Sequence, residues 1–288
     1  MSQPAIGFIG AGLMGAGMAG CLLAEGHPVA LLAHRNRAPL EPLLARGATE
    51  GVSASALVSD TDVIVTCLPN ADIVSGLADD IASAFRPGQI WIDTTTSRPE
   101  TSERIAERLA AHGAVFADAP VTGGPPEAEA GTLTSLVGCH DTAFPRIEAL
   151  VGTYSKTVLR VGDPGRGHAA KLLNNLVSQG TMLLLADAYQ CAAKIGVDPT
   201  ALYGAMMGGA ARSGTLQKAV APALHGDYSG AKFTIANAAK DLGYVRDLLE
   251  SALPAHAPTA ALLAARLAAL AEDGRGGDFV STMLDPTK

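Results

Sequence analysis

Two polar residues one helical turn apart, Lys171 and Asn175, are the first candidates for chemistry in this sequence. They lie in the stretch GRGHAAKLLNN, which opens with Gly165 and Gly167. If this stretch is helical, residues four positions apart project from the same face. A lysine on such a face can transfer a proton when burial brings its pKa towards neutrality. A lone lysine is by default a solvated charge, so the rest of the sequence has to decide between the two interpretations.

A glycine-rich turn near the amino terminus predicts a dinucleotide site. The segment GFIGAGLMG places Gly10, Gly12 and Gly15 in a G-x-G-x-x-G pattern, after a predicted strand and before a predicted helix. In that context the glycines permit a tight turn, close approach of a pyrophosphate and close packing of the helix on the strand. The helix amino terminus would direct free N–H groups at the phosphates, so Leu13 and Met14 are predicted contacts as well.

The end of the second predicted strand favours NADP(H) over NAD(H). Dinucleotide sites usually place an acidic residue there, about 20 residues after the glycines, to bind the ribose hydroxyl. This sequence has Arg35, Asn36 and Arg37 instead, and two arginines can bind a 2′-phosphate. The alternative is that these are surface charges and discrimination is poor, so NAD(H) stays possible.

Two later loops are also predicted to contact the cofactor. CLPN, with Leu68 and Pro69, ends the third predicted strand, and DTTTS, with Thr96, ends the fourth. Ligands of open parallel sheets bind beyond the carboxyl ends of the strands. As isolated motifs, both loops could equally be ordinary turns and helix caps.

The order of predicted elements indicates a doubly wound α/β domain followed by an all-helical one. Short β-branched runs alternate with helical segments in the first half, which is typical of a parallel sheet with helices on both faces. The predicted strands are Ala5–Gly10, Val29–Ala33, Asp62–Cys67, Gln89–Asp93 and Val115–Asp118, with Leu133–Val137 and Thr157–Val161 as possible extensions. The predicted helices of this half include Gly15–Glu25, Pro39–Arg46 and Pro99–His112.

A cluster of helix breakers, VGDPGRG, marks the expected domain boundary. The predicted domains are therefore residues 1–162 and 163–288, with a long helix at His168–Lys194 leading into the second. Further helices are expected at Pro199–Met207, Gly214–Leu224, Ile235–Ser251 and Pro258–Glu272.

Composition excludes several classes of protein. The formal net charge of −7 argues against a nucleic-acid binder. No apolar run reaches the roughly 20 residues of a membrane span, and no basic leader precedes an apolar run, so we expect a cytoplasmic protein. The four cysteines form no CxxC pair and the histidines no HxxH spacing, which indicates buried, reduced thiols and no metal site.

Four blocks in this order resemble the β-hydroxyacid dehydrogenase family, which includes 3-hydroxyisobutyrate dehydrogenases, tartronate semialdehyde reductases and the related 6-phosphogluconate dehydrogenases. The blocks are GFIGAGLMGAGMAGCLLAEGH, DAPVTGGPPEAEAGTL, GRGHAAKLLNN and KDLGYV. The tail GRGGDFVSTML is similar more loosely. The resemblance covers almost the whole chain. It implies a Rossmann-type domain joined through a long helix to a helical domain, and commonly a homodimer or homotetramer.

The resemblance also implies roles for single residues. Lys171 would be the general acid and base, and Asn175 would bind the substrate. Lys240 would lie near both the nicotinamide and the substrate carboxylate. The loop Thr122-Gly123-Gly124 would hold that carboxylate through N–H groups and a hydroxyl, although the family often has serine where this chain has Thr122. No role follows for His168.

The expected function is therefore NAD(P)-dependent interconversion of a small β-hydroxyacid and its semialdehyde, such as 3-hydroxyisobutyrate or tartronate semialdehyde. One alternative is an imine reductase-like NADPH enzyme, although imine reductases generally lack the lysine. The other is a dinucleotide-binding module without catalysis. The presence of Lys171, Asn175 and Lys240 together argues against that second alternative.

Overall fold

The computed structural model describes residues 3–33 and 36–287. The chain divides into two compact units, residues 1–171 and 172–288. A single helix of 30 residues, Arg166–Ile195, belongs in part to each unit. The predicted domain boundary at residue 162 lies just before this helix and stays a prediction.

The strands of the described residues form one sheet. They are β1 (Ile6–Ile9), β2 (Val29–Leu32), β3 (Thr49–Gly51), β4 (Val63–Thr66), β5 (Ile90–Asp93), β6 (Val115–Asp118), β7 (Val121–Thr122), β8 (Leu133–Gly138) and β9 (Ser155–Gly162). Their order is β3-β2-β1-β4-β5-β6-β8-β7, with β9 paired to β8. Strands β1 to β6 run parallel. This confirms the predicted α/β fold with its helical second part.

The helices follow the strands in chain order. In the first unit they are α1 (Leu13–Ala24), α2 (Glu41–Leu44), α3 (Ala54–Asp60), α4 (Ala71–Ile81), α5 (Pro99–Ala110), α6 (Pro125–Glu129) and α7 (Phe144–Val151). After α8 (Arg166–Ile195) come α9 (Pro199–Gly208), α10 (Ala221–Ala223), α11 (Ile235–Ala252) and α12 (Ala257–Leu270). Short 3-10 turns occupy Ala82–Ala84, Pro254–His256 and Val280–Leu284, and π-helical turns occupy Leu216–Val220 and Ala271–Arg275.

Alternation along the buried strands produces two hydrophobic cores. In β4, Val63 and Val65 belong to one core and Ile64 belongs to the other. Side chains of successive strand residues point to opposite faces, so each face needs its own layer of helices. Helices α1 and α7 cover one face, and α3, α4 and α5 cover the other. Trp91 anchors the second core with its ring centroid 5.8 Å from that of Phe85.

The sequence analysis did not predict that the chain direction reverses at the β8 edge of the sheet. Strand β8 was predicted as an extension, but it runs antiparallel to β6 and to β7. Parallel neighbours need a crossover connection, whereas here the chain folds straight back through the short β7–α6 segment. Strand β9 then pairs parallel to β8.

The second unit packs its helices through small and aliphatic side chains. Helices α11 and α12 lie against each other, with Leu242 and Val245 buried on one and Ala260 and Leu267 on the other. The predicted helix Gly214–Leu224 is helical from residue 214 to residue 223, with a π-helical turn at Leu216–Val220 that leads into the short α10. Among the described residues, no helix is both long enough and apolar enough to span a bilayer.

The cysteines are free thiols, and one of them departs from the expected burial. Cys139 is buried, Cys21 and Cys67 are partly buried, and Cys191 is exposed on α8. Within residues 3–33 and 36–287, no cluster of three or more His, Cys, Asp or Glu side chains is placed to hold a metal ion.

Candidate active site

The turn between β1 and α1 needs two of its glycines for reasons internal to the protein. Gly10 has φ +102°, and a Cβ there would overlap the carbonyl oxygen of Cys67. A Cβ on Gly15 would overlap the carbonyl oxygen of Gly10. The close approach of strand and helix therefore excludes any side chain at these two positions.

Gly12 is different, because a Cβ at this position would meet no protein atom within 4 Å. Its φ of −81° is accessible to any residue. It lies at the N-cap of α1, where Leu13 is exposed and the first N–H groups of the helix lack carbonyl partners within the helix. Since the protein does not require a glycine here, open space in front of a helix amino terminus fits the pyrophosphate of a dinucleotide.

The basic segment after β2 is only partly available for a ligand. Arg35 lies outside the described residues. Asn36 accepts a hydrogen bond at Oδ1 from the N–H of Ala38, at 3.1 Å. Arg37 donates two hydrogen bonds to Glu50 on β3, at 2.7 and 2.6 Å, and this pairing lowers the pKa of the glutamate. A 2′-phosphate at Arg37 would therefore compete with a carboxylate.

A hydrogen bond connects the loops that follow β4 and β5. The N–H of Leu68 donates to Thr95 Oγ1 at 2.9 Å, which links CLPN, including Pro69, to DTTTS. Thr96 is half-buried in the same loop. Asn70 caps α4 by accepting from the N–H of Ile73. The two predicted loops thus form one layer above the sheet.

The thiol of Cys67 in this layer is not a nucleophile at neutral pH. Burial is the main cause that raises its pKa to about 11. The thiol therefore stays protonated, and the thiolate is the reactive form.

The predicted carboxylate loop is more occupied than the sequence suggested. Thr122 pairs with Thr134 in the β7–β8 ladder, and Gly123 has φ +123°. The N–H of Gly124 already donates to Glu127 Oε2 at 2.8 Å. A substrate carboxylate at that N–H would have to displace Glu127, which leaves Thr122 and Gly123 as the better candidates of the three.

Helix α6, which follows this loop, packs on the dinucleotide helix α1. A Cβ on Gly17 would come within 2.8 Å of the backbone of Ala128, and Cys21 Sγ donates to the Ala128 carbonyl at 3.4 Å. The contact between α1 and α6 therefore fixes the β1–α1 turn relative to the loop Thr122-Gly123-Gly124, which precedes α6.

The glycines that open α8 serve the packing of the helix. Gly165 has φ +91°, and a Cβ on Gly167 would come within 2.5 Å of the Leu136 carbonyl oxygen and 2.6 Å of the Asp118 carbonyl oxygen. The absence of a side chain at Gly167 therefore lets the helix end pack on β6 and β8. Asp118 fixes this end, since its carboxylate accepts from the N–H groups of Gly165 and His168, each at 2.7 Å.

Lys171 lies in the second turn of α8 and is partly buried. Asn175 follows four residues later on the same helix, as predicted, and is nearly inaccessible to solvent. Asn174 is exposed and donates to Asn175 Oδ1 at 3.3 Å. The helical spacing therefore directs Lys171 and Asn175, but not Asn174, to one side of the helix.

Asp241 contacts two of the predicted substrate residues. Asn175 Nδ2 donates to Asp241 Oδ2 at 2.7 Å, and Lys240 Nζ forms an ion pair with Oδ1 at 2.8 Å. The same ammonium lies 5.2 Å from the ring centroid of Tyr244. Because a carboxylate only accepts hydrogen bonds, Asp241 also fixes which end of the Asn175 amide faces it. The adjacency of Lys240 and Asp241 was visible in the sequence, but the contact of Asp241 with Asn175 on α8 was not.

A pair of buried carboxylates in the first unit was also not predicted. Asp93 and Asp118 end the neighbouring strands β5 and β6, where they are register partners. Burial raises the pKa of the Asp118 carboxyl, and nearby His168 and the two N–H donors oppose that shift. The only available sequence signal was an aspartate at the end of each of two consecutive strands.

Both parts of the chain match known family models. Residues 5–162 match the NAD binding domain of 6-phosphogluconate dehydrogenase. Residues 165–286 match the NAD-binding domain described for NADP-dependent 3-hydroxyisobutyrate dehydrogenase.

Three known proteins illustrate the similarity. The mitochondrial 3-hydroxyisobutyrate dehydrogenase of Drosophila melanogaster is 35% identical over 67% of this chain, and the alignment spans 60% of that enzyme. The 2-(hydroxymethyl)glutarate dehydrogenase of Eubacterium barkeri is 34% identical over 83% of this chain and 80% of its own length. The solved structure of 3-hydroxyisobutyrate dehydrogenase from Mycobacterium tuberculosis with L-serine has a TM-score of 0.90 at 27% identity and covers 99% of both chains.

Proposed function

Since this chain belongs to the β-hydroxyacid dehydrogenase family of NAD(P)-dependent oxidoreductases, we propose that its substrate is a small carboxylate with a primary alcohol on the β carbon. The names of its relatives support this class. 3-Hydroxyisobutyrate, 2-(hydroxymethyl)glutarate and L-serine all carry a –CH2OH group on the carbon next to a carboxylate. The product of oxidation is the corresponding semialdehyde.

The observation that carries the assignment of residues is the Asn175–Asp241–Lys240 arrangement, in which Asn175 lies one helical turn after Lys171 on α8. One N–H of the Asn175 amide is held by Asp241, which orients the second N–H for the substrate oxygen. Lys240 is restrained by Asp241 and Tyr244 and supplies positive charge for the substrate carboxylate. Such restraint lowers the entropy cost of orienting a small substrate.

Lys171 is proposed as the group that moves the proton. In oxidation, neutral Lys171 Nζ takes the hydroxyl proton, and in reduction the ammonium returns a proton to the developing alkoxide. The nicotinamide, when bound, accepts or supplies the hydride. Thr122 and Gly123 are proposed to bind the carboxylate through a hydroxyl and an N–H group.

The proposed cofactor site consists of the β1–α1 turn and the loops after β2, β4 and β5. Gly12, Leu13 and Met14 would face the pyrophosphate, and Leu68, Pro69 and Thr96 would lie along the nicotinamide half. NADP(H) is the favoured cofactor, in agreement with the family model that covers residues 165–286, and NAD(H) remains possible.

A panel of substrates with both cofactors tests this function. We expect NADPH-dependent reduction of a β-semialdehyde, such as tartronate semialdehyde, and oxidation of 3-hydroxyisobutyrate or L-serine with NADP+. The ratio of kcat/KM for NADPH over NADH should exceed one. Turnover of cyclic imines alone would favour the imine reductase alternative, and cofactor binding without turnover would favour the binding module.

The pairing of Arg37 with Glu50 gives a sharper test of cofactor choice. In Glu50→Gln the arginine loses its carboxylate partner, and we expect KM for NADPH to fall about 1.5- to 5-fold, the range of one exposed ion pair. KM for NADH is the internal control and should not change, because NADH has no 2′-phosphate. An unchanged KM for NADPH would exclude Arg37 from the phosphate site.

We also propose a homodimer or homotetramer in a reducing compartment, the cytoplasm. The free thiols agree with such a compartment. Val177 and Leu184 are exposed on α8, seven residues and so two helical turns apart, which is the type of surface that self-association covers. Light scattering of the purified protein should give a multiple of the 29.2 kDa chain mass.

A further inference from the structure

Three buried ionisable side chains surround the first turn of α8. Asp93 and Asp118 lie side by side at the ends of β5 and β6, and His168 is completely inaccessible to solvent. Two neighbouring carboxylates in the protein interior need compensating partners, since a buried charge without one is costly. The proposed reaction uses none of these three groups.

The imidazole connects three elements of the first unit. His168 Nδ1 shares a hydrogen bond with Ser102 Oγ of α5 at 2.7 Å and lies 4.0 Å from Asp118 Oδ2. His168 Nε2 lies 3.8 Å from Asp93 Oδ2. The imidazole ring thereby lies between α5 and the end of β5. The backbone N–H of His168 donates to Asp118.

The Nε2 atom is the unexplained part of this arrangement. It has no hydrogen-bond partner among the described residues, although it is fully buried and directed at a carboxylate. The large majority of buried side-chain nitrogens in proteins have a hydrogen-bond partner. The distance to Asp93 is just beyond a hydrogen bond, so a small movement of the helix end would complete the contact.

Asp93 belongs to the loop that we assign to the cofactor. Its Oδ1 accepts from Thr66 Oγ1 at 2.8 Å and from the N–H of Thr95 at 3.1 Å. Asp93 therefore fixes the start of the DTTTS loop to the end of β4. Lys171 follows His168 by three residues, so the two side chains project from adjoining parts of one helix face.

We propose that His168 is a positioning residue for the reaction. By its approach to Asp93 it fixes the first turn of α8, one turn before Lys171, against the loop proposed for the nicotinamide. It thereby sets the distance between the proton carrier and the hydride. This inference rests on the proposed function of Lys171. His168 itself touches neither substrate nor cofactor.

Two substitutions separate the two nitrogens of the ring. His168→Gln can place an amide nitrogen where Nε2 lies and keep the approach to Asp93. His168→Asn can replace only Nδ1 and keep the contact with Ser102. We expect kcat to fall on the order of 10- to 100-fold in His168→Asn, the range for a misplaced reacting group, and clearly less in His168→Gln. The Kd of NADPH should change in neither.

Normalising kcat to the number of NADPH-binding sites removes any loss of folded protein from the comparison. Thr61→Val is the matched control, since it deletes a buried hydrogen bond to the Leu57 carbonyl in the same unit, just before the amino end of β4 and so at the edge of the sheet opposite the site. It should lower Tm without changing kcat. Wild-type kcat in His168→Asn, or a glutamine variant no better than the asparagine variant, would overturn the proposal.

The outcome can be told apart from a failure of the proposed function. If Lys171→Ala keeps its activity, the proton carrier is wrong and His168 has nothing to position. If Lys171→Ala loses activity while both His168 variants keep wild-type kcat, only the role of His168 is wrong.

Discussion

Replacing Lys171 by alanine should lower kcat by at least about 100-fold, the usual loss when a general acid and base is removed. The proton would then have to move to or from water, although the substrate could still be held by Asn175 and the cofactor by the β1–α1 turn. The Kd of NADPH, measured by fluorescence titration, should therefore stay within about twofold. Steady-state kinetics in both directions should show the same loss, because one group serves both.

Lys194 provides the control for this experiment. It is an exposed lysine in the last turn of the same helix, so Lys194→Ala removes an equal charge without touching the proposed site. We expect wild-type kcat and KM for it. Wild-type kcat in Lys171→Ala would end the proposed mechanism, whereas equal losses in both variants would indicate a general effect of charge on α8.

Alanine at Gly10 and at Gly12 should have opposite effects on stability and binding. Gly10→Ala forces a side chain onto the carbonyl of Cys67 at φ +102°, so the free energy of unfolding should fall by about 1–3 kcal/mol. Gly12→Ala adds a methyl group to open space, so stability should change by less than about 1 kcal/mol. The same methyl group would occupy the path of the pyrophosphate. We expect the Kd of NADPH to rise at least about tenfold, the cost of roughly one lost phosphate contact.

Gly76→Ala is the matched control for both variants. Gly76 lies within α4, and a Cβ there meets no protein atom within 4 Å. This change should stabilise the helix slightly and leave the Kd of NADPH unchanged. An unchanged Kd in Gly12→Ala would show that the pyrophosphate does not pass over this residue.

The sequence predicted the buried, periodic elements well and the short, exposed ones poorly. Strands β1, β4 and β5 were found because short buried runs rich in β-branched and aromatic residues leave few alternatives. Strand β3 was missed because Thr49–Gly51 has no buried residue to create a pattern. Its position comes from pairing with β2, a contact that no local signal encodes.

The candidate site likewise contains features that the sequence predicted and contacts that it did not. The glycine turn after β1 and the spacing of Lys171 and Asn175 are local features, so the sequence contains them in full. Pairs such as Arg37 with Glu50 and Asn175 with Asp241 join residues that are distant along the chain. These pairs determine which of the predicted hydrogen-bond donors already have a partner within the protein.

The stretch GRGHAAKLLNN contains both local features and contacts that depend on the fold. Its sequence alone determined a helix with Lys171 and Asn175 on one face, because helical periodicity follows from local spacing. Only the tertiary structure decided why it begins with glycines and what its histidine contacts. Gly167 has to fit against the backbone of two strands, and His168 meets Ser102, Asp93 and Asp118 from three other elements. Such contacts depend on how distant segments pack, and packing is a property of the folded chain.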